Sequence, residues 1–302
     1  MKFATLLLDW FTRNGRADLP WRRNRDPYHI VVSEFMLQQT QVERVVPLFE
    51  AFVKRWPSFA ALEAASRSDV LRAWRGLGYN SRAVRLHRLA QTVVAGHGGV
   101  LPRDETVLRA LPGIGSYTAR AVRAFAFDAD VLAVDTNVRR IVHRTQYGIE
   151  WPPRAGALQL DAAGAALLPA AQGYAFNSAL MDLGATLCTA RAPRCLLCPL
   201  QSVCAAAPVD AASLATLATR HAPARGPQER LRFEATTRYL RGRVVERLRA
   251  LPQRERISLL DLCAELGPVL IHHDTGAVTM AVTRLEADGL VEATDGGIRL
   301  TH

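Results

Sequence analysis

Four cysteines, Cys188, Cys195, Cys198 and Cys204, stand close together in a chain of 302 residues whose only other cysteine is Cys263. The gaps between them are six, two and five residues. Thiolates so spaced can converge on one soft metal centre, and Pro193 and Pro199 stiffen the loop that carries them. Whatever fold the chain adopts has to close this loop on an inorganic core, and the spacing predicts a 4Fe-4S cluster. Zinc is the weaker reading, because a zinc knuckle pairs its cysteines in two tight two-residue steps. Disulfides are weaker still, since they suit an oxidising compartment of which the chain bears no other sign.

A hydrophobic fraction of 49% over this length allows a sizeable core and two or three domains. Thirty-eight Lys and Arg against 28 Asp and Glu leave a net charge of +10, which points to a polyanionic partner. Arg191 and Arg194, inside the cysteine loop, are expected to face phosphate. Lys2 ahead of Leu6, Leu7 and Leu8 looks at first like a signal peptide, but Asp9 and Arg13 interrupt it. No apolar run approaches the roughly 20 residues of a membrane span. The expectation is a cytoplasmic, nucleoid-associated monomer without a membrane partner.

Helical periodicity dominates. Phe3, Leu6, Leu7 and Trp10 recur at helical spacing, as do Val42, Val45, Phe49, Phe52, Val53 and Trp56. Asp26 before Pro27, Ser81 before the stretch 82–95, Asp104 before Glu105 and Asp135 before Thr136 are start signals, and Gly98 with Gly99 is a stop. No alternating strand pattern occurs before residue 288, so the fold class is mainly α. Residues 206–230 lose periodicity among Ala, Pro and small polar residues and read as a linker. Beyond them, 232–251 predicts a basic amphipathic helix on which Arg238, Arg241, Arg243, Arg247 and Arg249 flank Leu240, Val244, Val245 and Leu248. Helices over 259–266 and 275–287, then a hairpin over 290–300, complete a winged-helix-like module of residues 231–302 whose arginines are expected to meet phosphates.

Leu111-Pro112-Gly113-Ile114-Gly115 lies between two predicted helices. Gly113 and Gly115 let the backbone turn tightly and aim free N–H groups outward at a helix N-terminus, which is an anion site; Arg120 and Arg123 on the following helix strengthen a reading as a phosphate grip.

Five segments then occur in a telling order: the stretch Ser33-Glu34-Phe35-Met36-Leu37-Gln38-Gln39-Thr40-Gln41-Val42, the turn Gly76-Leu77-Gly78-Tyr79, the Leu-Pro-Gly-Ile-Gly hairpin, Val134-Asp135-Thr136-Asn137-Val138-Arg139-Arg140, and Met181-Asp182-Leu183-Gly184-Ala185 leading into the cysteines. Together they resemble the MutY-type adenine DNA glycosylases of the helix-hairpin-helix superfamily, which also contains endonuclease III. The resemblance covers about residues 1–205. It implies a helix-hairpin-helix glycosylase fold, with a six-helix barrel domain over 23–138 and a 4Fe-4S cluster domain over 1–22 and 139–205. The function implied is that of a monofunctional DNA glycosylase of base excision repair, flipping and excising a mispaired base from double-stranded DNA, adenine opposite 8-oxoguanine or G.

Residue by residue, the match makes Glu34 the general acid and Asp135 the second catalytic carboxylate. Breaking an N-glycosidic bond needs a proton for the departing base and negative charge near an oxocarbenium-like sugar. Glu34 is expected to be desolvated and protonated, and Asp135, at a helix start, to be ionised. Tyr117 stands where endonuclease III carries a Schiff-base lysine; tyrosine cannot form that imine, so the strand is expected to stay intact. Gln39, Thr40, Leu77 and Tyr79 match residues that enter the duplex and replace lost stacking around the opposite base. Trp21 and Arg22 match the wall of the base pocket. The cysteines match the cluster ligands.

The chain departs from the family at three points. Ser178, in the base pocket, stands where members carry Glu or Gln able to hydrogen-bond adenine. Ala17 stands where some have arginine, and residues 231–302 are too few for the family's Nudix-like reader of 8-oxoguanine. Tyr117 and Ser178 therefore leave open a second reading, a T or U glycosylase acting opposite G. Glu34 favours a purine, whose ring nitrogen takes up a proton on leaving, whereas thymine or uracil can leave as an anion. A third reading, a non-catalytic DNA-binding regulator, is opposed by the two carboxylates.

Overall fold

The computed structural model of the chain describes residues 2–221, 232–267 and 271–302. Among them the helices are α1 Lys2–Asn14, α2 Pro20–Arg23, α3 Pro27–Leu37, α4 Val42–Arg55, α5 Phe59–Glu63, α6 Arg67–Ala73, α7 Ser81–His97 and α8 Glu105–Ala110. There follow α9 Ser116–Phe127, α10 Thr136–Gln146, α11 Ala157–Leu167, α12 Gly173–Thr186, α13 Ala211–Arg220, α14 Thr237–Ala250, α15 Leu259–Leu266 and α16 Thr275–Ala287. Two strands close the chain, β1 Val291–Thr294 and β2 Gly297–Leu300. The fold is mainly α.

The helix signals act through the hydrogen bonds that give them meaning. Asp104 Oδ1 accepts from the Thr106 and Val107 N–H groups at 2.9 and 3.0 Å, and Asp135 Oδ1 accepts from Val138 N–H at 2.7 Å, each satisfying donors left over in a first helical turn. Gly98, with φ of 60°, ends α7 in the left-handed conformation. At the other end of α7 the cap position is Asn80, and Ser81 is already helical.

Two expectations need correction. Within 206–230, expected as a linker, Ala211–Arg220 is helical, because Asp210 accepts from Ser213 N–H at 2.7 Å and the Ala/Leu sequence that follows forms helix readily. Leu214 alone of this helix is buried, so its periodicity was too thin to read. Residues 222–230 lie outside the described residues. The basic helix starts at Thr237 rather than 232, after a single 3-10 turn at Phe233–Ala235, because Thr236 caps it by accepting from Tyr239 N–H at 3.2 Å.

Contacts divide the chain into two compact units, Met1–Glu34 with Pro102–Ala110 and Ile114–Ala224, and Phe35–Leu101 with Leu111–Gly113 and Arg225–His302. In the first, α12 packs against α1, α9 and α10, around Phe3, Leu7, Val138, Ile141, Phe176, Leu180 and Leu183. Helices α10 and α12 approach closely at Gly184, where a Cβ would lie 2.7 Å from that of Asn137. Asp182 of α12 is fully buried and fully paired: Arg22 donates to its two oxygens at 2.7 and 3.0 Å, and Arg16 donates through Nε at 2.7 Å and its backbone N–H at 2.9 Å.

In the second unit, α5 and α6 pack on α7, and α14 packs on α6, α15, α16 and β2. The predicted apolar face of α14, Leu240, Val244, Val245 and Leu248, is buried. β1 and β2 pair antiparallel with Val291 opposite Leu300 and Thr294 opposite Gly297, and Ile257 extends the ladder by exchanging hydrogen bonds with Ile298 at 3.0 and 2.8 Å. Arg249 ties this module to the helices before it, donating to Leu71 O at 2.9 Å and Asn80 Oδ1 at 2.8 Å.

Burial alone would raise the Asp182 pKa, but the hydrogen bonds and charge of Arg22, with those of Arg16, outweigh it and hold the carboxyl below its ordinary range. Asp182→Ala should cost about 3 kcal/mol in urea unfolding near neutral pH, because it strands the guanidinium of Arg22. A group with a lowered folded pKa contributes stability above its unfolded value of about 3.9 and loses it as pH falls through the folded value. The gap between wild type and variant should therefore close only below about pH 4.

Candidate active site

Glu34 lies on α3 after Val31, Val32 and Ser33, all buried, and is itself only 8% exposed. Burial pushes its carboxyl up to about 7; a hydrogen bond with Tyr117 pulls it back and the charge of Asp135 pushes it further up. Tyr117, the second residue of α9, is held well above its ordinary range by burial and by the same two carboxylates, so it remains a hydroxyl donor. Asp135 holds its other oxygen, Oδ2, against Asn137 Nδ2 at 3.0 Å. The unit thus brings together a carboxyl that is about half protonated near pH 7, a phenol hydrogen-bonded to it, and a carboxylate fixed at a helix N-terminus.

Asn177 of α12 steadies the segment leading into Asp135. Its Oδ1 accepts from Ala133 N–H at 2.8 Å, and its Nδ2 donates to Val131 O at 2.9 Å and Gly173 O at 2.7 Å. The next residue, Ser178, is buried with a hydroxyl that has no hydrogen-bond partner in the protein. Trp21 is buried at the start of α2. Arg22 is engaged by Asp182, whereas the Ser178 hydroxyl is left unpartnered.

The four residues expected to enter a duplex divide into two kinds. Gln39 and Tyr79 are exposed, with φ of 56° and 43°, a left-handed backbone that non-glycine residues adopt only under constraint. Leu77 is buried and Thr40 half-buried. The constraint is Arg82 of α7, which is 4% exposed. Its Nη1 donates to the carbonyls of Phe35, Met36 and Gln38, and its Nη2 to those of Leu77 and Gly78 and to Thr40 Oγ1, at 2.7 to 3.2 Å. One guanidinium so fastens both turns. Sequence reasoning missed it, as it missed Asn177, because neither carries a spacing signal.

In the hairpin Gly113 has φ of +80°, and a Cβ there would meet the Phe35 ring at 2.9 Å, so glycine is required on both counts. Gly115 caps α9 and is exposed. Arg120 and Arg123 share Glu105, at 3.4 and 2.9 Å, and Arg120 also reaches Asp161 at 3.6 Å, so carboxylates take up part of the charge expected to face phosphate. Arg191 and Arg194 are exposed.

Cys188, Cys195, Cys198 and Cys204 line one apolar cavity with Ile141, Leu183 and Leu200. All are free thiols. Donors aim at the sulfurs: Val209 N–H reaches Cys195 Sγ at 3.4 Å and Arg144 Nη1 reaches Cys188 Sγ at 3.7 Å. Burial, and the charge of the other three thiols, push Cys198 up to about 11 against a backbone donor from Leu200. Among the described residues no group of three or more His, Cys, Asp or Glu side chains is arranged to hold a metal ion. Two arginines of α10 hold the loop. Arg144 is fully buried, donates to Glu150 through both Nε and Nη2 at 2.7 and 2.6 Å, and reaches Thr189 O at 2.7 Å, while Arg140 donates to Cys188 O at 2.8 Å.

Residues 32–159 match the family described as HhH-GPD superfamily base excision DNA repair protein. The adenine DNA glycosylase of Mycolicibacterium smegmatis is 43% identical over 294 residues, 96% of this chain and 93% of that protein. The chain belongs to the MutY-type adenine DNA glycosylases. The human adenine DNA glycosylase is 40% identical over 214 residues, 68% of this chain but 39% of that protein. A solved structure of a thermostable thymine-DNA glycosylase superposes with a TM-score of 0.62 at 30% identity, over 67% of this chain and 93% of that one. The mycobacterial match runs well past residue 205, so the C-terminal module is something this adenine DNA glycosylase family member shares with that relative.

Cys198→Ser should lower bound iron from about four per chain, the content of a four-thiolate cluster, and bleach the broad visible absorbance. Full iron retention, or stoichiometric zinc in the wild type, would remove the cluster assignment.

Proposed function

We propose that the protein is a monofunctional DNA glycosylase of base excision repair that removes adenine mispaired with 8-oxoguanine or G in double-stranded DNA. The observation that carries the reading is the buried Glu34, joined to Tyr117 beside the helix-capping Asp135. Glu34, half protonated near pH 7, donates its proton to a ring nitrogen of the departing adenine as the N-glycosidic bond breaks and its electron pair leaves with the base. The carboxylate of Asp135 offsets the positive charge that develops on the sugar, held still by Val138 N–H and Asn137. Water then adds at the anomeric carbon and leaves an abasic site. Tyr117 has no amine with which to form an imine, so the strand is not cut.

Gln39 and Tyr79 enter the duplex from their constrained turns, Gly113 and Gly115 offer backbone N–H groups to phosphate, and Arg191 and Arg194 meet the backbone from the cysteine loop. A 4Fe-4S cluster held by Cys188, Cys195, Cys198 and Cys204 would supply a cross-link and local charge to that loop. Trp21 and the hydroxyl of Ser178 border the base. Thymine opposite G remains the second reading, favoured by the likeness to the thymine-DNA glycosylase. Adenine is preferred because of the greater identity over nearly the whole chain and because a neutral Glu34 serves a purine.

Duplexes carrying A, T or U opposite G and 8-oxoguanine should release adenine alone, with strand scission only after alkali. Release of thymine or uracil without adenine would replace the reading by the second one. Glu34→Gln and Asp135→Asn should each slow single-turnover release by at least about a hundredfold while duplex binding persists. The wild-type rate should fall above about pH 7 as Glu34 loses its proton. In Tyr117→Phe the hydrogen bond that lowers the Glu34 pKa is gone, so the falling limb should move to higher pH; an unshifted limb would take Tyr117 out of the control of Glu34.

A further inference from the structure

In the second unit, the turn at Gly78–Ser81 and helix α14 border an open cleft of about 610 Å³, within the size range of small-ligand sites. Its lining joins aromatic rings to cations. Tyr79 lies beneath Arg238, whose guanidinium carbon is 4.2 Å from the ring centroid, and Phe233 meets Tyr239 edge to face at 5.6 Å. Phe233 is 55% exposed, a large apolar ring left facing solvent beside the cleft.

The arginines of this region do not share one role. Arg247 pairs with Glu265, Arg241 with Asp288, and Arg249 is occupied by Leu71 O and Asn80. Among the described residues no carboxylate pairs with Arg238, Arg243 or Arg284, and Arg243 Nε is buried with no hydrogen-bond partner. Unpaired guanidinium groups lining one cleft repel one another, and a partly buried donor without an acceptor is costly. Both costs vanish when an anion with several acceptor oxygens enters. Such an anion finds exposed ring faces beside it.

We propose that this cleft binds an unstacked nucleotide of a DNA strand, with the base against Phe233 and the flanking phosphates on Arg238, Arg243 and Arg284. Every base has a π-face, so such stacking tolerates sequence, and guanidinium forks match phosphate oxygens. The choice of DNA rests on the glycosylase reading: extruding one base leaves its partner unpaired, so an enzyme of that kind generates the ligand itself.

The test uses the full chain and two fluorescent probes of equal length and charge, pentathymidylate and a strand of five abasic deoxyribose phosphates. Arg238→Ala with Arg284→Ala, both exposed positions, should weaken both probes about tenfold or more and make the log–log salt slope shallower by about 1.4, two phosphate contacts on a single strand. Phe233→Ala should weaken pentathymidylate at least about fivefold and leave the abasic strand unchanged. Wild-type affinity of both variants for both probes would overturn the proposal, as would equal loss of the two probes in Phe233→Ala. Loss in the arginine variant with none in Phe233→Ala would also overturn it, leaving a phosphate surface without a base seat. Adenine release is followed in parallel: a wild type that binds pentathymidylate in this pattern yet releases no base fails as a glycosylase and keeps the cleft.

Discussion

Helix α10 is where the requirements of the first unit meet. Val138, Ile141 and Val142 are buried in the core of that unit and fix the helix against α11 and α12. Its first cap is Asp135, so the charge facing Tyr117 and Glu34 has the rigidity of a helix terminus rather than of a loop. One and two turns further on, Arg140 and Arg144 donate to the carbonyls of Cys188, Thr189 and Ala190 and hold the cysteine loop. A displacement of α10 would move the Asp135 carboxyl and the cysteine loop together, because both hang on one element.

Asp135 satisfies two demands with one side chain. One oxygen closes the helix by accepting from Val138 N–H, and the other accepts from Asn137 Nδ2. Burial is the main cause that raises the pKa of Glu34, and the charge of Asp135 adds to it. Glu34 sits within a buried helix, and Asp135 caps a helix start.

Net charge overstates how much of this basic chain faces a polyanion. Arg22, Arg82, Arg144 and Arg249 are buried or nearly so, and they fasten Asp182, two exposed turns, the cysteine loop and the C-terminal module. Guanidinium suits this work because five donors in a plane can satisfy several carbonyls of an irregular segment at once, which the short donor set of lysine cannot. Arg191, Arg194, Arg238 and Arg284, by contrast, are exposed.

Element type and chemistry were legible in the chain wherever a local rule acts. Caps at Asp104 and Asp135, the left-handed stop at Gly98, the apolar face Leu240, Val244, Val245 and Leu248, the closing hairpin and the clustered cysteines all follow from interactions spanning a few residues, which a sequence records directly. The helix at Ala211–Arg220 escaped because a single buried leucine leaves no period. The division of arginines into fasteners and ligands, the strained backbone of Gln39 and Tyr79 under Arg82, the pairing of Arg22 with Asp182 and the cleft beneath Arg238 were decided only in three dimensions. Arg82 reaches Phe35 from 47 positions away, Arg22 reaches Asp182 from 160, and Arg249 reaches Leu71 from 178. A charged side chain takes its role from the dielectric and the acceptors around it, and those come from distant segments that only packing brings together.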